Sequence, residues 1–147
     1  MDRITEIVSK LVKKSRTDDP YEIAEHRGII VINESLGSTL GYYSTYKRIP
    51  FIHINHDLNS IWQRFVCAHE LGHYIMHPKA NTPFLRANTL FSVDRIEREA
   101  NTFAVELLMP DRILREYNNT ACTLEEIASI RGVPRELARL KRFTNKR

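Results

Sequence analysis

The chain has 147 residues, 42% of them hydrophobic and 27% charged, with two cysteines and a formal net charge of +4. That length and balance suit one compact domain, 1–147, and exclude a disordered tail or a fibrous protein. No apolar run approaches the roughly 20 residues of a membrane span, and the charged start Met1-Asp2-Arg3 is no secretory signal, so no membrane role is expected. Cys67 and Cys122 are too few for a disulfide scaffold, which makes the reducing cytoplasm the expected location. The charge excess is local. Residues 123–147 hold seven Lys/Arg against three Glu, while the rest of the chain holds fifteen of each sign. A solvated basic end is expected, not a uniformly basic nucleic-acid-binding body.

Ile4, Ile7, Val8, Leu11 and Val12 recur at helical spacing and predict a first amphipathic helix. Asp18-Asp19-Pro20 is a helix start signal, and the short helix that follows ends at Gly28. The β-branched run 29–32 predicts a strand, and 40–43 and 50–54 predict two more, joined by a polar turn over 44–48. Turn and capping residues fill 55–60, and a long helix is expected over about 61–77, stopped by Pro78. Residues 78–93 show no periodicity and read as a surface loop. From Asp94 an apolar stripe of Ile96, Ala100, Phe103, Ala104, Leu107 and Leu108 predicts a helix ending at Pro110. Three further helical pieces are expected at 111–117, 123–130 and 134–143. Thr123 and Glu126 have the spacing of a capping box.

These elements predict an α+β fold: a small mixed sheet of about three strands packed on the long helix and further helices. The core would occupy 1–110, and 111–147 would form a helical extension. Residues 123–143 have a helix–turn–helix-like order about Gly132-Val133-Pro134. Its apolar set, including Leu124, Ile127, Leu137 and Leu140, favours packing onto the rest of the chain. The basic second helix alternatively offers a contact to DNA phosphates or to an acidic protein face, but one short helix is too little for nucleic acid to be the main partner.

His69-Glu70-Leu71-Gly72-His73 is the sharpest chemical signal. Residues four apart share a helix face, so the two imidazoles converge on one tetrahedral metal ion. Glu70 lies about 100° round the helix, where a carboxylate can take a proton from water at the metal. A chain of this composition holds about 0.02 such motifs by accident. A catalytic zinc site takes three protein ligands. The metzincin pattern would need a glycine where Met76 stands and a histidine where Lys79 stands, so it is excluded. The segment 94–108 offers Glu97 and Glu99, which lie about 200° apart round a helix. Glu97 is nearer the centre of the apolar stripe and is the expected third ligand, with Glu99 as the alternative.

The remaining candidates have ordinary readings. His77, four residues after His73, is expected in a supporting or helix-end role before that of a ligand. His53, His56, Tyr42 and Tyr43 are possible donors to a developing oxyanion, though strand packing and turn chemistry account for each singly. His26 reads as a surface residue, and Cys67 as a small buried one.

The pentapeptide, followed by Glu97-Arg98-Glu99-Ala100-Asn101-Thr102-Phe103-Ala104 and then Glu106-Leu107-Leu108-Met109-Pro110, resembles the ImmA/IrrE-type metallopeptidases over about residues 20–140. The strand ending Ile52-His53-Ile54-Asn55 before the helix fits the same family. Glu97-x-x-Ala100-Asn101 is similar to a thermolysin-like arrangement, and that likeness implies that Asn101 holds His69 or His73 through its second ring nitrogen. The resemblance implies a cytoplasmic zinc endopeptidase of the gluzincin type. His69, His73 and Glu97 would hold one Zn2+ and Glu70 would be the general base. The implied partner is a helix–turn–helix repressor controlling a mobile element or a stress response. The alternative is a non-catalytic zinc-containing regulator that binds DNA or a repressor, and Glu70 discriminates, because a structural site needs no base.

Overall fold

A computed structural model describes residues 2–80 and 84–142. Helices α1 (Arg3–Ser15) and α2 (Pro20–His26) lead into strands β1 (Ile30–Glu34), β2 (Thr39–Tyr46) and β3 (Ile49–Asn55). The long helix α3 (Ser60–Met76) follows, then a two-residue strand β4 (Leu85–Arg86) and helix α4 (Arg95–Leu108). Short helices α5 (Asp111–Glu116) and α6 (Leu124–Ile130) precede a 3-10 helix, Arg135–Leu140. The class is α+β with a mixed sheet, ordered β1-β3-β2-β4. β3 runs parallel to β1 and antiparallel to β2.

Three boundaries depart from the expectation. The sheet has four strands, not about three: Leu85 and Arg86, inside the stretch expected to be loop, pair with the start of β2 across an irregular register. Two residues are too few to show an alternating pattern. β2 also runs three residues further, because the hairpin turn needs only Lys47 and Arg48, both at positive φ (52° and 69°). That is the backbone of a two-residue turn matched to strand twist. The last helical piece, expected over 134–143, is a 3-10 turn, since Leu137 N–H and Lys141 N–H donate to carbonyls three residues back. Phe143 lies outside the described residues.

α3 is the middle layer. Its residues Phe65 to His73 are all buried, with the sheet on one side and α4 on the other. Ile52 and Ile54 of β3, both fully buried, supply the sheet side. Two glycines allow the approach. A Cβ on Gly41 would lie 2.4 Å from Val66 Cγ1 and 2.7 Å from the His53 carbonyl oxygen, and one on Gly72 would lie 3.0 Å from the Phe103 ring. α4 is buried from Ala100 to Leu108, because α1 and the 3-10 helix cover the sides that α3 leaves open. One apolar cluster runs from Ile4 to Leu140 and includes Leu137 and Ala138.

The basic end is partly internal. Lys141 Nζ is buried, 3.0 Å from Glu106 and 2.8 Å from Asp111. Arg131 Nε donates to the Leu108 carbonyl at 2.9 Å and the Arg142 N–H to Glu106 at 2.6 Å. Arg135 and Arg139 are exposed.

Gly41→Ala should force α3 off the sheet, and overpacking of this kind costs about 1–3 kcal/mol. Urea unfolding followed by circular dichroism measures it, the expected result being a lower midpoint with native helix content retained.

Candidate metal centre and active site

α3 begins with Asn59 capping the Trp62 N–H, and its apolar middle seats it deep in the molecule. His69 and His73, one turn apart, therefore leave water completely, as does Glu70 between them. α4, capped by the Asp94 side chain on the Ile96 N–H, brings Glu97 to the same place with 4% of its surface exposed. One ligand atom from each of His69, His73 and Glu97 lies within 4.8 Å of the others. The Nε2 atoms of both imidazoles are 3.2 Å from the Glu97 carboxylate. Glu99 is elsewhere: its carboxylate accepts from His77 Nε2 at 2.8 Å and meets Arg3 at 2.9 Å.

Each histidine is held from behind. His69 Nδ1 lies 2.8 Å from Asn101 Oδ1, while Asn101 Nδ2 donates to the Leu90 carbonyl at 2.7 Å. That second bond fixes the amide's orientation, so its oxygen must face His69 and the ring must donate from Nδ1. Nε2 of a neutral His69 is left with its lone pair towards Glu97. His73 Nδ1 meets His77 Nδ1 at 3.1 Å.

Among the described residues, the buried side-chain polar atoms without a hydrogen-bond partner are Glu70 Oε1 and Oε2, His73 Nε2 and Glu97 Oε2. Buried polar groups are normally paired, and each exception calls for an explanation. Here all four belong to one cluster of nitrogen and carboxylate donors, a set suited to a divalent metal. The site therefore fits a metal ion.

The carboxylates differ in character. Burial pushes the Glu70 carboxyl up to about 8, with the Glu97 charge adding to the rise and His73 opposing it. Burial would raise Glu97 as well, but the two imidazoles 3.2 Å away outweigh it and hold that carboxyl down to about 2. One acid is thus kept as an anion and its neighbour holds a proton readily, a division of labour typical of acid–base sites.

Of the other candidates, His53, Tyr42, His56 and His26 fall away from this centre. His53 alternates with Ile52 and Ile54, so it points to the sheet face opposite α3. There it is stacked on Tyr42 at 4.1 Å and bonded to Glu34 and Ser44. His56 is exposed beside Asp57. Tyr43 meets Tyr74 of α3 edge-on at 5.8 Å. Cys67 is fully buried and its thiol is pushed up by desolvation, so it is no thiolate. His26 is exposed. Sequence reasoning did not find the His77–Glu99 bond or the Leu90 carbonyl. The four-residue step from His73 to His77 signals the first, whereas no side-chain pattern signals a backbone acceptor.

Residues 24–141 match the family described as the IrrE N-terminal-like domain. The chain is 53% identical over 135 residues to the uncharacterized immunity region protein 2 of Bacillus phage phi105, an alignment covering 91% of this chain and 85% of that protein. It is 32% identical over 148 aligned positions to metallopeptidase ImmA of Bacillus subtilis strain 168, covering 95% and 86% respectively.

The raised Glu70 pKa fixes a sign for stability in metal-free protein. Below about 4.5 the carboxyl is protonated folded or unfolded. Between there and about 8 only the unfolded chain gives up the proton, so stability should fall as pH rises through this window. Glu70→Gln should remove that slope and leave the metal-free variant more stable than the parent at pH 8, as measured by urea unfolding in chelator.

Proposed function

Because the chain belongs to the ImmA/IrrE family of metallopeptidases, we propose that it is a zinc-dependent endopeptidase whose substrate is a helix–turn–helix repressor. The observation that carries the reading is the convergence of His69, His73 and Glu97 with Glu70 beside them, all buried and with partnerless polar atoms. His69, His73 and Glu97 would hold one zinc per chain. When bound, zinc supplies Lewis acidity, polarising the scissile carbonyl and making water acidic enough to attack near neutral pH.

Glu70 does the proton work. Its carboxylate accepts a proton from the attacking water and delivers it to the amine nitrogen as the C–N bond breaks. Burial gives this carboxyl an unusually high proton affinity, which suits a group that must hold a proton and release it within one turnover. Glu97 serves the opposite need, since the two imidazoles keep it anionic. Asn101 keeps the His69 ring from turning. A purely structural metal site has no use for Glu70, whose burial would then be an unrewarded cost.

The substrate reading rests on the family and on the phage relative, which is named as an immunity region protein. Among the described residues no helix is long and apolar enough to cross a membrane. We place the enzyme in the cytoplasm, where a protease must be selective, and the substrate is then a regulator of a mobile element or stress response. Arg135 and Arg139, exposed at the basic end, are the side chains suited to an acidic face of that partner. Lys141 is buried on Glu106 and the Arg142 side chain faces Asp2 at 3.7 Å, so neither is counted among them.

Purified protein should carry one zinc, and His69→Ala, His73→Ala or Glu97→Ala should lose it, as metal analysis would read. Mass spectrometry of a candidate repressor incubated with zinc-loaded enzyme should find one or a few cuts. Glu70→Gln should keep zinc and lower the cleavage rate by about 10²–10⁴-fold or more. Undiminished cleavage by that variant would sink the mechanism. Replacing Arg135 and Arg139 by Ser should slow cleavage at low salt and have little effect at high salt.

A further inference from the structure

His77 and Glu99 form a link that the proposed mechanism leaves unused. His77 caps the C-terminal end of α3, with its N–H on the His73 carbonyl at 2.7 Å. Its ring stands behind His73, Nδ1 to Nδ1 at 3.1 Å, and its own Nε2 is 2.8 Å from Glu99 Oε1. Glu99 is anchored in turn by Arg3 of α1 at 2.9 Å and by Arg95 of α4 at 3.4 Å. His77 is 9% exposed.

We propose that His77 and Glu99 are positioning residues, which hold the His73 ring in the tautomer that leaves its Nε2 unprotonated. The inference rests on the reading of His73 as a metal ligand, and its logic is the direction of each hydrogen bond. Ionised Glu99 only accepts, so the proton between it and His77 sits on His77 Nε2. A neutral His77 then has a lone pair on Nδ1. Nδ1 of His73 must therefore donate, which places the His73 proton behind the ring. Nε2, facing Glu97 and without a hydrogen-bond partner, keeps its lone pair. A metal needs that lone pair, and an imidazole in the other tautomer would have to shift its proton before binding.

The two ligand histidines thus use different supports. A neutral amide holds His69, fixed by the Leu90 carbonyl. An imidazole backed by a carboxylate holds His73. His77 is not a fourth ligand in this arrangement, because its Nδ1 is engaged by His73 Nδ1 and its Nε2 by Glu99.

The experiment uses the full-length protein and two readouts. Nitrogen-15 NMR of the imidazoles in metal-free protein reports the tautomers, and competition with a chelator reports zinc affinity. The metal-free parent should show His73 protonated at Nδ1 and His77 at Nε2. His77→Phe, which fills the space without accepting, should mix the His73 tautomers and weaken zinc binding about 10–100-fold. His77→Gln, whose side-chain carbonyl accepts the same proton, should restore most of the affinity. A parent His73 protonated at Nε2, or His77→Phe with unchanged tautomer and affinity, overturns the proposal. So does His77→Gln binding as poorly as His77→Phe, because the loss is then one of packing. If His77→Phe does not fold, Glu99→Ala replaces it. That variant frees His77 Nε2–H and should perturb the His73 tautomer, and an unperturbed one is again fatal. His69→Ala serves as the separate control: full zinc affinity in that variant defeats the metal reading, while the tautomers of metal-free protein still decide the positioning role.

Discussion

Two carboxylates and two imidazoles sit together out of water in the middle of the molecule, and the packing of α3 against α4 puts them there. Removing a carboxylate from water without a full set of partners costs several kcal/mol, so the surrounding fold must be stable enough to bear it. The layering supplies that stability. α3 lies between the sheet and α4 with Phe65, Leu71 and Phe103 fully buried about the cluster. Gly41 on one side and Gly72 on the other let the layers close to backbone distance. The separation between the two helices is also the separation between Glu97 and the imidazoles, so packing and the geometry of the cluster are one constraint.

α4 contains its own comparison. It carries a second buried carboxylate, Glu106, which accepts from Lys141 Nζ and the Arg142 N–H and lies 3.4 Å from the Thr5 hydroxyl. Glu106 is satisfied as a structural group should be. Two turns or so earlier on the same helix, Glu97 keeps an oxygen with no hydrogen bond, opposite a His73 nitrogen that also has none. The fold can pair a buried acid when structure alone is at stake. Around Glu97 and Glu70 it leaves oxygens without a hydrogen bond, as the proposed metal site requires.

Much of the arrangement was legible because helical periodicity converts spacing into direction. His69 and His73 at four residues share a face, and the apolar stripe of α4 turned Glu97 inward and Glu99 aside. What could not be read depends on partners far away in sequence. β4 exists only because Leu85 and Arg86 meet β2. Lys141 looks like one more charge in a basic tail, yet Glu106 and Asp111 draw it into the interior. Tyr42 and His53 were plausible near the chemistry until strand alternation put them on the far side of the sheet. The Leu90 carbonyl behind Asn101 carries no side-chain signature at all.

The Glu106 cluster bears on how the molecule is made. Thr5 and the Lys141–Arg142 pair come from opposite parts of the sequence and close on one carboxylate of α4. During synthesis α4 leaves the ribosome well before Lys141 does. Over that interval Glu106 has no cation to meet, and the helix that carries Glu97 has an uncompensated charge on a face destined for burial. Segments emerge in order but settle as a unit. The helix that carries Glu97 therefore reaches its final surroundings only once Lys141 and Arg142 have joined it.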